Sequence, residues 1–208
     1  MAGKAFPARD LNELVEILRR VDAIHPVVRL MLEFECRTGL RYVDSSQVKF
    51  SDVMINGVIK DKFEFVMSKL YQKRITQGMA PAMAKSKSTI TIAINDELKA
   101  VIEDCQHINK GQKLLFASDA PRAKADSPVT NQHVNRILKK VALEMQLPYK
   151  LTTHSLRKSF AMILLSSGAN IHDVQKRLGH SSLSSTEYYL NTFTDASLDH
   201  MKNISFTV

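Results

Sequence analysis

Long apolar runs are missing from this 208-residue chain. No hydrophobic stretch approaches the roughly 20 residues that a membrane-spanning helix needs. The opening residues, M-A-G-K-A-F-P-A-R-D, lack the apolar centre of a secretion signal. Cysteine is scarce as well. Cys36 and Cys105 lie far apart, and neither has a partner at metal-ligand spacing. That argues against a disulfide framework and a zinc site, and leaves two buried, reduced thiols in a cytoplasmic protein as the expectation. No H-x-x-H or C-x-x-C pair occurs, so no metal is expected. Internal repeats and low-complexity segments are also absent. What remains is ordinary: 44% hydrophobic and 24% charged residues, which excludes a disordered chain and suits a globular fold with a real core.

The charge is less ordinary. The net value is +8, and it is concentrated. Residues 51–90 hold seven basic and three acidic side chains, and residues 131–180 hold eight and two. Those windows exceed the total, so the rest of the chain is slightly acidic. Localised positive charge suits a polyanion such as nucleic acid, although alone it is weak evidence.

The pattern predicts mostly helix. Asp10 can cap a helix over L-N-E-L-V-E-I-L-R-R-V, with Leu11, Leu14, Val15 and Leu18 on one face. Pro26 opens a second helix, and Gly39 fits the left-handed residue that ends it, so the chain turns just before Arg41. Between Gln47 and Ile94, V-K-F, K-F-E-F-V-M and S-T-I-T-I-A-I read as three short strands. The basic connection Leu70–Ser88, with Gly78 and Pro81, reads as a mobile loop. Asn95 or Asp96 caps a helix to about Cys105. S-D-A-P-R-A-K-A-D-S-P is a surface loop, and Thr130 starts the next helix. Ser155–Ser166 reads as a buried helix that Gly168 ends. Shorter helices follow near Val174–Leu178 and Ser184–Leu190.

One region carries distinctive chemistry. T-H-S-L-R-K-S-F places His154 three residues before Arg157. L-G-H-S-S-L-S-S-T-E-Y-Y places His180 after a glycine and a tyrosine pair after that. Arg41 stands upstream in T-G-L-R-Y-V-D. Breaking a phosphodiester builds negative charge on the non-bridging oxygens. Guanidinium forks match two such oxygens and keep their charge. Arg41 and Arg157 can form that clamp. His154 and His180 can add hydrogen bonds and move a proton near neutral pH. A tyrosine hydroxyl can attack and hold the phosphate covalently, and a lysine on a hairpin is a natural acid for the leaving oxygen.

These residues resemble the catalytic domain of the tyrosine recombinase (phage integrase) family. The resemblance runs from about Leu11 to Thr192 and rests on T-G-L-R at Thr38–Arg41, H-S-L-R at His154–Arg157, L-G-H-S at Leu178–Ser181 and the following tyrosine. It implies an α+β, mainly α fold: a helical bundle with a small three-stranded antiparallel sheet. It implies Arg41 and Arg157 as the two catalytic arginines, His154 as partner of Arg157, His180 at the scissile phosphate and Asp44 as a supporting acid. Tyr189 falls at the nucleophile position. Tyr188 is displaced by about 100° around a helix and reads as packing. Lys69 fits the general acid best, with Lys73, Lys85 and Lys87 in competition. Singly, each has a plainer reading: a surface ion-pair arginine, a capping or turn histidine, a core tyrosine. The joint order outweighs these.

The resemblance further implies metal- and cofactor-free cutting and rejoining of double-stranded DNA through a 3′-phosphotyrosyl link, by a homotetramer, with accessory DNA-bending proteins and no membrane. The alternatives are the same chemistry used for DNA relaxation or telomere resolution, and a non-catalytic DNA-binding protein. Residues 1–208 are expected to form one catalytic domain, with 195–208 as a tail that packs on a neighbouring protomer and without the N-terminal DNA-clamping domain of full-length members. His25, His107, His133, His172 and His200 are expected to have no catalytic role.

Overall fold

The computed structural model describes residues 5–180 together with 182, 184 and 186. The chain divides after Phe160 into two compact units. The first unit opens with α1 (Leu11–Asp22), where the Asp10 carboxylate accepts the Glu13 N–H at 2.8 Å. Leu14, Ile17 and Val21 are buried, but Leu11 and Val15 stay 61% and 62% exposed. The buried face is therefore rotated from the one expected. Glu13 is the cause. It is buried, held by the Arg9 side chain at 2.7 Å and the Tyr149 hydroxyl at 2.6 Å. Residues two positions either side of it must face outward.

Helix α2 (Pro26–Thr38) is the spine of this unit. Val28, Leu30, Met31, Leu32 and Phe34 are fully buried, each contributing about 1.5–3 kcal/mol by leaving water. Phe34 meets Phe116 edge-on at 5.3 Å and Phe63 at 6.2 Å. One stripe of α2 is ionic: Arg29 pairs with Glu33, Asp22 and Asp104, and Arg37 with Glu33 and Glu97. Gly39 ends the helix with φ +68°. It has a second reason to be glycine, because a Cβ there would sit 2.4 Å from the Phe160 ring.

After α3 (Tyr42–Ser45) and α4 (Phe50–Val53) comes a tight hairpin, β1 (Met54–Ile55) and β2 (Val58–Ile59). Asn56 and Gly57 turn it with φ of 50° and 80°. Strands β3 (Lys62–Val66) and β4 (Thr89–Ala93) then pair antiparallel, Lys62 opposite Ala93 and Val66 opposite Thr89. The antiparallel character expected is present, but as two two-stranded ladders among the described residues rather than one three-stranded sheet. V-K-F makes only a bridge from Lys49 to Leu114, since the chain coils into α4 at Phe50. The connection read as a mobile loop is a helical hairpin, α5 (Ser68–Thr76) and α6 (Pro81–Ser88).

Helix α7 (Asp96–Ile108) is capped by Asn95, and α8 (Asn131–Glu144) by Thr130, as their sequences predict. Helix α9 (Thr153–Ser166) carries the chain across the unit boundary. Cys36 and Cys105 are buried and free.

In the second unit Asn170 and Asp173 cap α10 (Ile171–Leu178) reciprocally, and Gly179 ends it with φ +59°. Val174 and Leu178 are buried. Most of the expected Ser184–Leu190 helix, and all of 195–208, lie outside the described residues. Among those described, no helix is long and apolar enough to cross a membrane.

Candidate active site

The turn that follows α2 carries one of the candidate residues and anchors another. Gly39 reverses the chain, Leu40 is fully buried, and Arg41 is extended ahead of α3. Its backbone carbonyl accepts the N–H groups of Asp44 and Ser45, both at 2.8 Å, and its Nη1 is shielded from solvent. Arg157 arrives from α9 with only 3% of its surface exposed, and its Nη1 donates to the Gly39 carbonyl. Phe160, one helical turn further along α9, lies against the same glycine. One turn of backbone thus presents one arginine and anchors the other. Cys36 adds a weak contact from its Sγ to the Leu156 carbonyl at 3.6 Å.

Asp44 links this turn to the predicted lysine. The carboxylate is buried, and its Oδ1 accepts the Ser68 N–H at 3.0 Å and the Ser68 hydroxyl at 2.6 Å. Ser68 begins α5, so the acid sits at a helix N-terminus, where negative charge is favoured. Lys69 is the next residue and is exposed.

His154 sits on the outer side of the first turn of α9 and reports how these charges gather. Its imidazolium is disfavoured below the ordinary value of 6.5, by partial desolvation first and then by Arg157, Arg41, Lys158 and Lys69 in that order. Lys158 is engaged elsewhere: its Nζ donates to the Ala5 carbonyl at 2.9 Å and lies 5.9 Å from the Phe6 ring centre.

Three neighbours of the candidate residues, Ser68, Glu35 and Thr186, escape sequence reading. Ser68 positions the start of α5, and no local pattern announces it. Glu35 is fully buried, and among the described residues neither carboxylate oxygen is hydrogen-bonded. Burial pushes its carboxyl well above the usual range, while the Arg157 charge pulls the other way. In the second unit, His180 follows the Gly179 cap, and its Nδ1 lies 3.0 Å from the hydroxyl of buried Thr186. That contact orients the ring, and only the six-residue spacing within S-S-L-S-S-T could have hinted at it.

The first unit therefore gathers Arg41, Asp44, Lys69, His154 and Arg157. His180 belongs to the second unit. Tyr188 and Tyr189 lie outside the described residues. Lys73, Lys85 and Lys87 stand further along the α5–α6 hairpin. His25 and His133 form a separate pair with ring centres 5.2 Å apart, beside Asp119 and Arg136. Among the described residues no three histidine, cysteine or acidic side chains cluster as a metal site. Chemically, the gathered set offers guanidinium donors for a phosphate, a neutral imidazole and a nearby ammonium.

The fold is that of tyrosine recombinase catalytic domains. It matches the crystal structure of XerA recombinase with a TM-score of 0.68 at 16% identity, over 98% of this chain and 68% of that one. It matches a lambda integrase dimer bound to a COC′ core site with a TM-score of 0.66 at 18% identity, over 100% and 64%. The catalytic domain of bacteriophage HP1 integrase aligns at 0.56 and 20% identity, over 95% of both chains. The phage integrase family model matches residues 4–195, and the chain belongs to that family. Among curated relatives, the tyrosine recombinase XerD of Staphylococcus saprophyticus is 30% identical over 162 residues, covering 77% of this chain and 48% of XerD. A putative integrase/recombinase, y4qK, of Sinorhizobium fredii is 28% identical over 157 residues, covering 76% and 44%. The chain thus spans about half the length of these relatives.

Proposed function

We propose that this chain is the strand-cutting and rejoining part of a site-specific DNA recombinase. The observation that carries the reading is the Arg157 guanidinium bonded to the Gly39 carbonyl, two residues before Arg41. Two guanidinium groups, one carried and one anchored by the same turn, beside a neutral imidazole, suit a phosphodiester whose charge grows in the transition state. Structural neighbours bound to a COC′ core site and to difH substrate favour DNA as the partner.

In this reaction the Tyr189 oxygen attacks the scissile phosphorus. The new P–O bond holds the 3′ end, and the bond to the 5′ oxygen breaks. His154 takes the phenol proton, and Lys69 gives a proton to the leaving 5′ oxygen, which departs as a hydroxyl. Arg41, Arg157 and His180 hold the non-bridging oxygens, while Asp44 positions the lysine through Ser68. The free hydroxyl of a partner duplex then reverses the step, conserving the bond energy without a cofactor. Protomers act as a tetramer on two DNA sites, and residues 195–208 pack in trans.

A duplex nicked close to the scissile phosphate tests this, because a lost 5′ fragment traps the covalent link. The expected result is a denaturation-resistant protein–DNA adduct, absent in Tyr189→Phe. An adduct that survives that substitution rejects the assignment.

A further inference from the structure

Between β3 and β4 the chain leaves the strand pair, forms α5 and α6, and returns. The stem is firmly fixed. Val66 pairs with Thr89, the Met67 N–H donates to the Ser88 carbonyl at 2.9 Å, and the Arg74 Nη1 donates to the Ser88 hydroxyl at 2.7 Å. Asp44 fastens the first residue of α5. The hairpin is therefore mounted rigidly beside the turn that carries Arg41.

Its composition is one-sided. From Phe65 to Asn95 there is no aspartate or glutamate, while Lys69, Lys73, Arg74, Lys85 and Lys87 all fall there. Arg74 is used inside the hairpin. The four lysines are exposed, and none forms an ion pair among the described residues. The arginines of α1 and α2 contrast sharply, each answered by an acid on its own or a neighbouring helix. Helix α5 buries no residue fully, so core packing does not account for it. A merely solvated surface mixes both signs. A rigid face of one sign on a protein that handles DNA has a ready counterpart in the phosphate backbone.

We propose that the α5–α6 hairpin is an additional DNA-gripping surface, in which Lys73, Lys85 and Lys87 contact backbone phosphates outside the scissile position. The inference rests on duplex DNA being the partner proposed above. The contacts carry no base readout, so they raise affinity for duplexes of any sequence alike.

The test is duplex binding by the full chain across a potassium chloride series, using an oligonucleotide of arbitrary sequence. Replacing Lys73, Lys85 and Lys87 together with alanine is expected to lower the slope of log K against log salt by about 2–3, since each phosphate contact contributes about 0.9. A matched triple, Lys99→Ala, Lys110→Ala and Lys124→Ala, removes equal charge from exposed sites elsewhere and is expected to leave the slope in place. Equal loss in both triples, or no loss in the hairpin triple, overturns the assignment while leaving the recombinase reading intact. A wild-type chain that fails to bind duplex overturns both.

Discussion

The turn after α2 and the α5–α6 hairpin both carry positive charge, but they hold it in opposite ways. At the turn, Arg157 is almost wholly buried, and its guanidinium is committed to the Gly39 carbonyl. On the hairpin, the lysines project from helices that bury little. Buried, hydrogen-bonded arginine is preorganised for one phosphate position and loses little freedom when that phosphate arrives. Exposed lysine is mobile and suited to many backbone positions. Under the proposed function, the contrast separates reactivity from grip and makes each separately breakable.

The largest effect is expected at the turn. Arg157→Ala removes a donor and leaves the Gly39 carbonyl buried without it. Single-turnover adduct formation should fall by a factor on the order of 10²–10³ or more. Arg157→Lys should recover little, because an ammonium cannot serve the carbonyl and the phosphate with one planar fork. The Lys73, Lys85 and Lys87 triple should act instead on the salt dependence of duplex binding.

Next comes Gly39→Ala. The new Cβ meets the Phe160 ring and the backbone is left-handed, so stability should fall by about 1–3 kcal/mol in denaturant unfolding. Adding Phe160→Leu should recover part of the loss. No recovery would show that backbone conformation, rather than the ring contact, dictates glycine there.

Asp44→Ala should act on both regions, since Asp44 joins them. Losing two hydrogen bonds at Ser68 should cost about 1–3 kcal/mol. Adduct formation should slow as well, and Asp44→Asn should restore more stability than rate. Equal restoration of both would reduce Asp44 to a structural tie.

The smallest expected effect is the pH dependence of His154. Its folded pKa lies below 6.5, so its neutral form is favoured on folding. The associated stability is present above 6.5 and drains away as pH falls through the depressed value. The acid limb of the cleavage rate should follow the same range and flatten in His154→Gln. A limb above 6.5 would contradict the charge convergence on this ring.

Much of this was legible beforehand, because short-range chemistry wrote it. Asp10, Asn95 and Thr130 cap the helices they precede, and Gly39 stops α2. Other signals are ambiguous in isolation. Gly78 and Pro81 suggested a loop, yet Gly78 sits in the connector between two helices and Pro81 opens the second. Asn56–Gly57 is a hairpin turn between apolar pairs too short to stand out as strands. At the site, residue types and order pointed to Arg41, His154 and Arg157. The ties that arm them were invisible, because Gly39 to Arg157 and Asp44 to Ser68 span 118 and 24 residues.

The central claim is that both arginines work as one unit built on the Gly39–Arg41 turn. A double-mutant cycle with Arg41→Lys and Arg157→Lys on single-turnover cleavage of the nicked duplex measures it directly. The account predicts strong non-additivity, with the double variant scarcely slower than the worse single one. Fully additive losses would mean that the arginines act independently, and would contradict it.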